Sequence, residues 1–145
     1  MKVDDEKAMI KLGERLAELV TAPALIELTG DVGAGKTTLV KGLARGLGVV
    51  DEVTSPSFTI NKTYQFASSV LAKGEGTLSH YDFYRLEDAG IMKNEIIEVL
   101  TDPGAIVVVE WAGAVQDVLL TERIKINIAY NKDGSRTVTA SGVEL

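Results

Sequence analysis

Apolar positions along the chain change period several times, and each change marks an element. Met9, Leu12, Leu16 and Leu19 recur three or four residues apart, which predicts a helix on one apolar face, with Asp4 or Asp5 as its cap and Pro23 beyond its end. "ALIEL" (Ala24 to Leu28) is a short apolar run that predicts a strand leading straight into a glycine-rich turn. "KTTLVKGLARGLG" then returns to helical spacing, with Leu39, Leu43 and Leu47 on one face and an end near Gly46 to Gly48. From about Phe58 to Phe66 the pattern moves towards period 2, which predicts a strand; "ASSVLAKGEG" reads as a loop.

"TLSHYDFYRL" predicts another strand, with which Asn61 to Tyr64 would pair as a hairpin, and "EDAGIMKNEIIEVL" one or two short helices. "AIVVVEW" is a continuous β-branched run, as expected of a strand buried on both faces. "ERIKINIAYNKDGSRTVTASG" predicts a hairpin turning at Asp133–Gly134. The expected architecture is α/β: one domain over residues 1–145, three layers, with a mixed parallel and antiparallel central sheet.

Composition narrows the class. The 145 residues are 46% hydrophobic and 25% charged, and no apolar run is long enough to span a membrane. The charged N-terminus has no signal-peptide core, and there is no cysteine, so disulfides and thiol chemistry are excluded and a cytoplasmic setting is expected. The formal charge is −6. A chain holding nucleic acid unaided would normally carry a basic face, so direct RNA or DNA binding is disfavoured.

The chemistry concentrates in "GDVGAGKTT". Gly30, Gly35, Lys36 and Thr37 satisfy the P-loop spacing between a strand and a helix. Glycines let backbone N–H groups approach phosphate oxygens, the helix start directs its positive end at them, and Lys36 reaches the terminal phosphates. The Thr37 hydroxyl suits Mg²⁺. The candidate nucleotide-binding residues along this stretch are Asp31, Val32, Gly33, Ala34, Gly35, Lys36, Thr37 and Thr38.

A nucleoside triphosphatase also needs a carboxylate near the metal and a group that orients water. Glu110 ends the buried strand at the edge where α/β sheets bind ligands. Asp82 is either such a carboxylate or an exposed partner of Arg85; pattern alone leaves both open. His80, the sole histidine, reads as a packing residue rather than a base. "TSPSFT" is either a switch loop with a hydroxyl for Mg²⁺ or a turn entering a strand. Neither "NKDG" nor "NKTY" is a guanine-recognition motif, so ATP is expected over GTP.

In this order, "GDVGAGKTTLVKG", "VTSPSFT", "HYDFYRL" and "VVVEW" closely resemble one family over nearly the whole chain. It is the bacterial P-loop ATPase family required for threonylcarbamoyladenosine formation in tRNA, TsaE (YjeE). The resemblance implies that Gly30 to Thr38 hold ATP, and that Thr37, Ser57, Asp82 and Glu110 surround Mg²⁺. Lys36, Asp82 and Glu110 would then serve hydrolysis, with Trp111 at the nucleotide. Ser57 stands where the family usually has threonine, and Ala112 where proline is common. Bottom-up, Trp111 is also readable as a packing aromatic.

The same resemblance implies an accessory ATPase that resets a TsaD–TsaB transferase between turnovers, with tRNA met only through those partners and no membrane involved. Hydrolysis would be slow alone, since a trans-acting arginine can add roughly 10³–10⁵ in rate and no arginine is an obvious finger in cis, Arg85 being the nearest candidate. The rival readings are a small-molecule kinase and a regulatory ATP-binding module without significant turnover.

Overall fold

The computed structural model describes residues 1–56, 60–71, 73–84, 91–115 and 122–145. Seven strands, β1 (Lys2–Val3), β2 (Ala24–Thr29), β3 (Asn61–Ala67), β4 (Glu75–Asp82), β5 (Ala105–Glu110), β6 (Ile124–Tyr130) and β7 (Arg136–Ser141), form one sheet in the order β1-β7-β6-β2-β5-β4-β3. The central strands β6, β2, β5 and β4 run parallel, while β3, β7 and β1 pair antiparallel at the two sides. The mixed sheet expected from sequence is therefore present.

Helices α1 (Glu6–Leu19) and α2 (Lys36–Leu47) cover one face, and α3 (Ile91–Val99) packs on the other. The run in β5 explains how one strand serves both. Ile106 and Val108 join the core under α1 and α2, whereas Val107 and Val109 join the smaller core with Ile96 of α3. In β4, Leu78 shares the first face and Tyr81 the second. Burial, then the nearby Glu95 carboxylate that accepts its hydroxyl proton at 3.1 Å, push the Tyr81 phenol well above its ordinary range.

Asp5 is the α1 cap, its carboxylate accepting from the Ala8 N–H at 2.8 Å. The hairpin turn falls as expected, with Gly134 at φ 85°.

Several boundaries differ. β3 begins at Asn61 rather than Phe58: Ile60 sits at φ 66° and turns its N–H back to the Pro56 carbonyl, although its own carbonyl still accepts from the Asp82 N–H at 2.8 Å. Phe58 lies outside the described residues. β4 starts two residues earlier than expected, because Glu75 and Gly76 pair with Ala67 and Phe66. A Cβ on Gly76 would lie 2.4 Å from the Phe66 ring, so the glycine leaves room for that ring across the strands. It ends at Asp82, whereas the expected strand ran to Leu86; 85–90 lie outside the described residues. β1 escaped prediction because two residues carry no readable period. Residues 112–115 form a 3₁₀ turn.

Candidate functional site

Topology brings distant residues to one edge. β2 lies beside β5 with Leu28 opposite Glu110, and β5 lies beside β4 with Glu110 opposite Asp82. All three strands are parallel and end at the same edge, so the glycine-rich turn after β2 sits next to both carboxylates. Side-chain alternation places Asp82 and Glu110 on the face of α1 and α2, as continuations of the rows Leu78–His80 and Ile106–Val108.

The turn itself has the form a phosphate cradle requires. A Cβ on Gly30 would lie 2.5 Å from the Ile128 carbonyl oxygen, so no side chain fits where the loop leaves the sheet. Gly35 caps α2 at φ 111°, a conformation glycine adopts without strain, and no side chain caps the helix. In contrast to α1, no side chain among the described residues caps the start of α2, and Gly35, Lys36, Thr37 and Thr38 at that start line a cleft. The Lys36 ammonium, 93% buried as a residue, lies back on the loop and donates to the carbonyls of Gly30 at 2.7 Å and Asp31 at 2.9 Å.

A cleft of about 390 Å³ is lined by Val32, Gly33, Gly35, Lys36, Thr37, Thr38, Ser55, Asp82, Tyr84, Glu110 and Trp111. Nine of the residues singled out from sequence thus share one cavity. Ala34 lines a second cleft of about 330 Å³, between α1's N-terminus and the β6–β7 hairpin, which shares Gly33, Gly35 and Thr38 with the first. Asp31 lines neither; its carbonyl accepts from Lys36 and from the Ala34 N–H. Ser57 and Arg85 lie outside the described residues.

Trp111 breaks strand alternation. Its φ of 55° turns the chain after β5, so that Glu110 and Trp111 both line the cleft. The indole ring lies 5.5 Å from the Lys36 ammonium and 4.8 Å from the Tyr84 ring. It serves the cleft rather than the core.

Four residues here escaped sequence reasoning. Tyr84 belongs to the "HYDFYRL" string, but neither its spacing nor the resemblance assigns it a role. Ser55 stands in the hydroxyl-rich "TSPSFT" loop, two residues before the Ser57 that the family resemblance points to. Arg136 donates from Nε to the Ala34 carbonyl at 3.0 Å and stacks 4.0 Å from the Tyr130 ring, bracing the glycine-rich turn from the hairpin. His80, read as packing, is wholly buried, yet its Nε2 lies 2.8 Å from Glu110 Oε1. That contact needs the β4–β5 register, which spacing alone does not reveal.

The donor set fits a magnesium nucleotide. Magnesium keeps few protein ligands, commonly one hydroxyl and one or two carboxylates with phosphates and water. Thr37, Asp82 and Glu110 around one cleft match that sparse shell, and no richer cluster of acidic and histidine ligands exists among the described residues. No helix there is long and apolar enough to cross a membrane.

Residues 3–138 match the family described as "Threonylcarbamoyl adenosine biosynthesis protein TsaE". A tRNA threonylcarbamoyladenosine biosynthesis protein TsaE from Streptomyces coelicolor is 38% identical over 143 residues, covering 93% of this chain and 90% of that one. Its Nostoc counterpart is 36% identical over 138 residues (91% and 78%), and that of Bacillus subtilis 35% over 140 residues (97% and 81%). The crystal structure of YdiB from Bacillus subtilis superposes with a TM-score of 0.74 at 29% identity, covering 99% of this chain and 84% of that one.

Proposed function

The chain belongs to the TsaE family of tRNA threonylcarbamoyladenosine biosynthesis, and on that premise we propose that it binds and hydrolyses Mg-ATP as an accessory subunit of that modification system. The observation that carries the reading is the uncapped start of α2 with Lys36 on one side of a cleft, and Asp82 and Glu110 on the other. The first accounts for phosphate binding; the second supplies the carboxylates that a phosphate-binding turn alone lacks.

In this reading the β- and γ-phosphates rest against the N–H groups of residues 33–38, and Lys36 exchanges its two carbonyl partners for phosphate oxygens. Thr37 and Asp82 would hold magnesium, which when bound neutralises charge on the phosphates. Glu110 orients a water in line with the γ-phosphorus and takes its proton as the bond to the ADP oxygen breaks. The nucleoside passes Thr38 into the second cleft, beside Arg136.

Among the described residues, no arginine lines the first cleft. That favours slow turnover by the isolated chain and activation by the TsaD–TsaB pair, with the ATPase resetting the transferase between rounds. The same observation supports the second reading, ATP as a regulatory ligand without significant turnover.

Steady-state phosphate release from Mg-ATP, measured alone and with the TsaD–TsaB pair, decides between them. The expected result is a low rate that rises several-fold on mixing and disappears in Lys36→Ala. Glu110→Ala should retain ATP while losing at least about 100-fold in rate, the usual lower bound for a lost general base. Tight ATP binding with no phosphate release under either condition would leave the regulatory reading standing alone.

A further inference from the structure

We propose that His80 is a positioning residue for hydrolysis, a fixed hydrogen-bond donor that holds one oxygen of Glu110 and turns the other towards the attacking water. The inference rests on the ATPase reading above.

The imidazole has no exposed surface, and the Glu110 residue is 4% exposed. Nε2 lies 2.8 Å from Oε1, whereas Nδ1 is buried without any partner among the described residues. This asymmetry fixes the ring's proton. On Nε2 the proton is accepted by the carboxylate, and Nδ1 keeps only a bare lone pair. On Nδ1 it would be a buried donor with no acceptor, and the Nε2 lone pair would face carboxylate oxygen. The donor is therefore Nε2–H.

The backbone makes that donor rigid. His80 and Val108 are register partners, and Glu110 stands two residues further along β5 on the same face. The ring therefore reaches diagonally across two adjacent, fully paired strands. Glu110 is the last residue of its strand and precedes the left-handed turn at Trp111, where a long carboxylate would otherwise sample several rotamers. With Oε1 held by His80 and Glu110 lining the cleft, Oε2 is the oxygen left for water. A histidine buried only to fill space would not need its one hydrogen bond directed at this carboxylate.

The test uses the intact chain with its partners. His80→Leu removes the donor and should lower the rate constant of hydrolysis by about 10- to 100-fold, the range usual for a lost outer-shell hydrogen bond. Nucleotide affinity should stay within about twofold, because His80 does not line the nucleotide cleft. His80→Gln, whose amide nitrogen falls near the position of Nε2, should recover part of the rate. In a Glu110→Gln background, His80→Leu should add nothing further. An unchanged rate in folded His80→Leu, or rate and affinity falling together, overturns the proposal.

A second readout needs no turnover. The chain has one histidine, so ¹⁵N-labelled imidazole gives a single ring spectrum. A protected Nε2–H whose signal shifts in Glu110→Ala supports the assignment. A proton on Nδ1, or a spectrum indifferent to Glu110→Ala, overturns it. Because this spectrum is read without nucleotide, absent wild-type turnover would count against the ATPase reading and leave the His80–Glu110 bond separately decided.

Discussion

Trp111 holds a backbone conformation that costs a bulky residue roughly 1–2 kcal/mol. The return is placement. Strict alternation after Glu110 would send the indole to the α3 side of the sheet, whereas φ 55° puts it in the cleft, 5.5 Å from the Lys36 ammonium. Phosphates arriving at Lys36 must therefore alter the surroundings of this ring. Since it is the only tryptophan, its fluorescence reports the event without labelling. Titration with Mg-ATP should shift or quench the emission saturably, and Lys36→Ala should abolish the response. An emission spectrum that stays constant at saturating ATP would mean that the nucleotide does not reach this part of the cleft.

At the scale of elements, α1 and α2 pack backbone to backbone through glycine. A Cβ on Gly42 would sit 2.2 Å from the Ile10 carbonyl oxygen, and one on Gly13 2.3 Å from that of Leu39. Alanine is the better helix former by about 1 kcal/mol, so Gly42→Ala would stabilise an isolated α2. In the protein the clash is with backbone and cannot be relieved by a rotamer change. We expect net destabilisation of about 1–3 kcal/mol in urea unfolding, together with weaker ATP binding, because α2 carries Lys36 and Thr37 at its start. A stabilised Gly42→Ala would refute the close approach.

Elements with a strong local period were legible in the sequence. The β-branched run of β5, the leucine row of α2 and the glycine-rich turn each state their structure within a dozen residues. Gly76 did not, since a glycine beside a loop looks like loop until Phe66 is known to lie across from it. The site divides the same way. Lys36 and Thr37 follow from a contiguous motif, and Glu110 from the end of a buried run. For Asp82, pattern leaves two readings open, and its place beside Glu110 follows only from strand register. The His80 contact and the second cleft, built from α1, the glycine-rich turn and the β6–β7 hairpin, exist only after the chain has folded.

For the whole molecule, net charge bears on what the chain can hold unaided. A chain of net charge −6 lacks the excess of cations that gives proteins non-specific hold on nucleic acid. The isolated chain should therefore fail to retain tRNA in filter binding at about 0.15 M salt and micromolar protein. Retention should appear only when the partner subunits are added. Micromolar affinity of the chain alone would place a tRNA-binding surface on it and change its part in the modification.

The core and the chemistry also share one ruler. Leu78, His80 and Asp82, like Ile106, Val108 and Glu110, are successive teeth of the same rows; the first of each is greasy filling and the last is an acid at the rim. Losing or gaining a single residue inside β4 would move His80 and Asp82 to the α3 side, while two residues would restore the face and displace the acid along it. Misfolding by one notch and loss of the site are consequently the same error. A length change in a connection between strands leaves the phase of the sheet intact, whereas one within β4 or β5 must be absorbed by a bulge or it displaces the site.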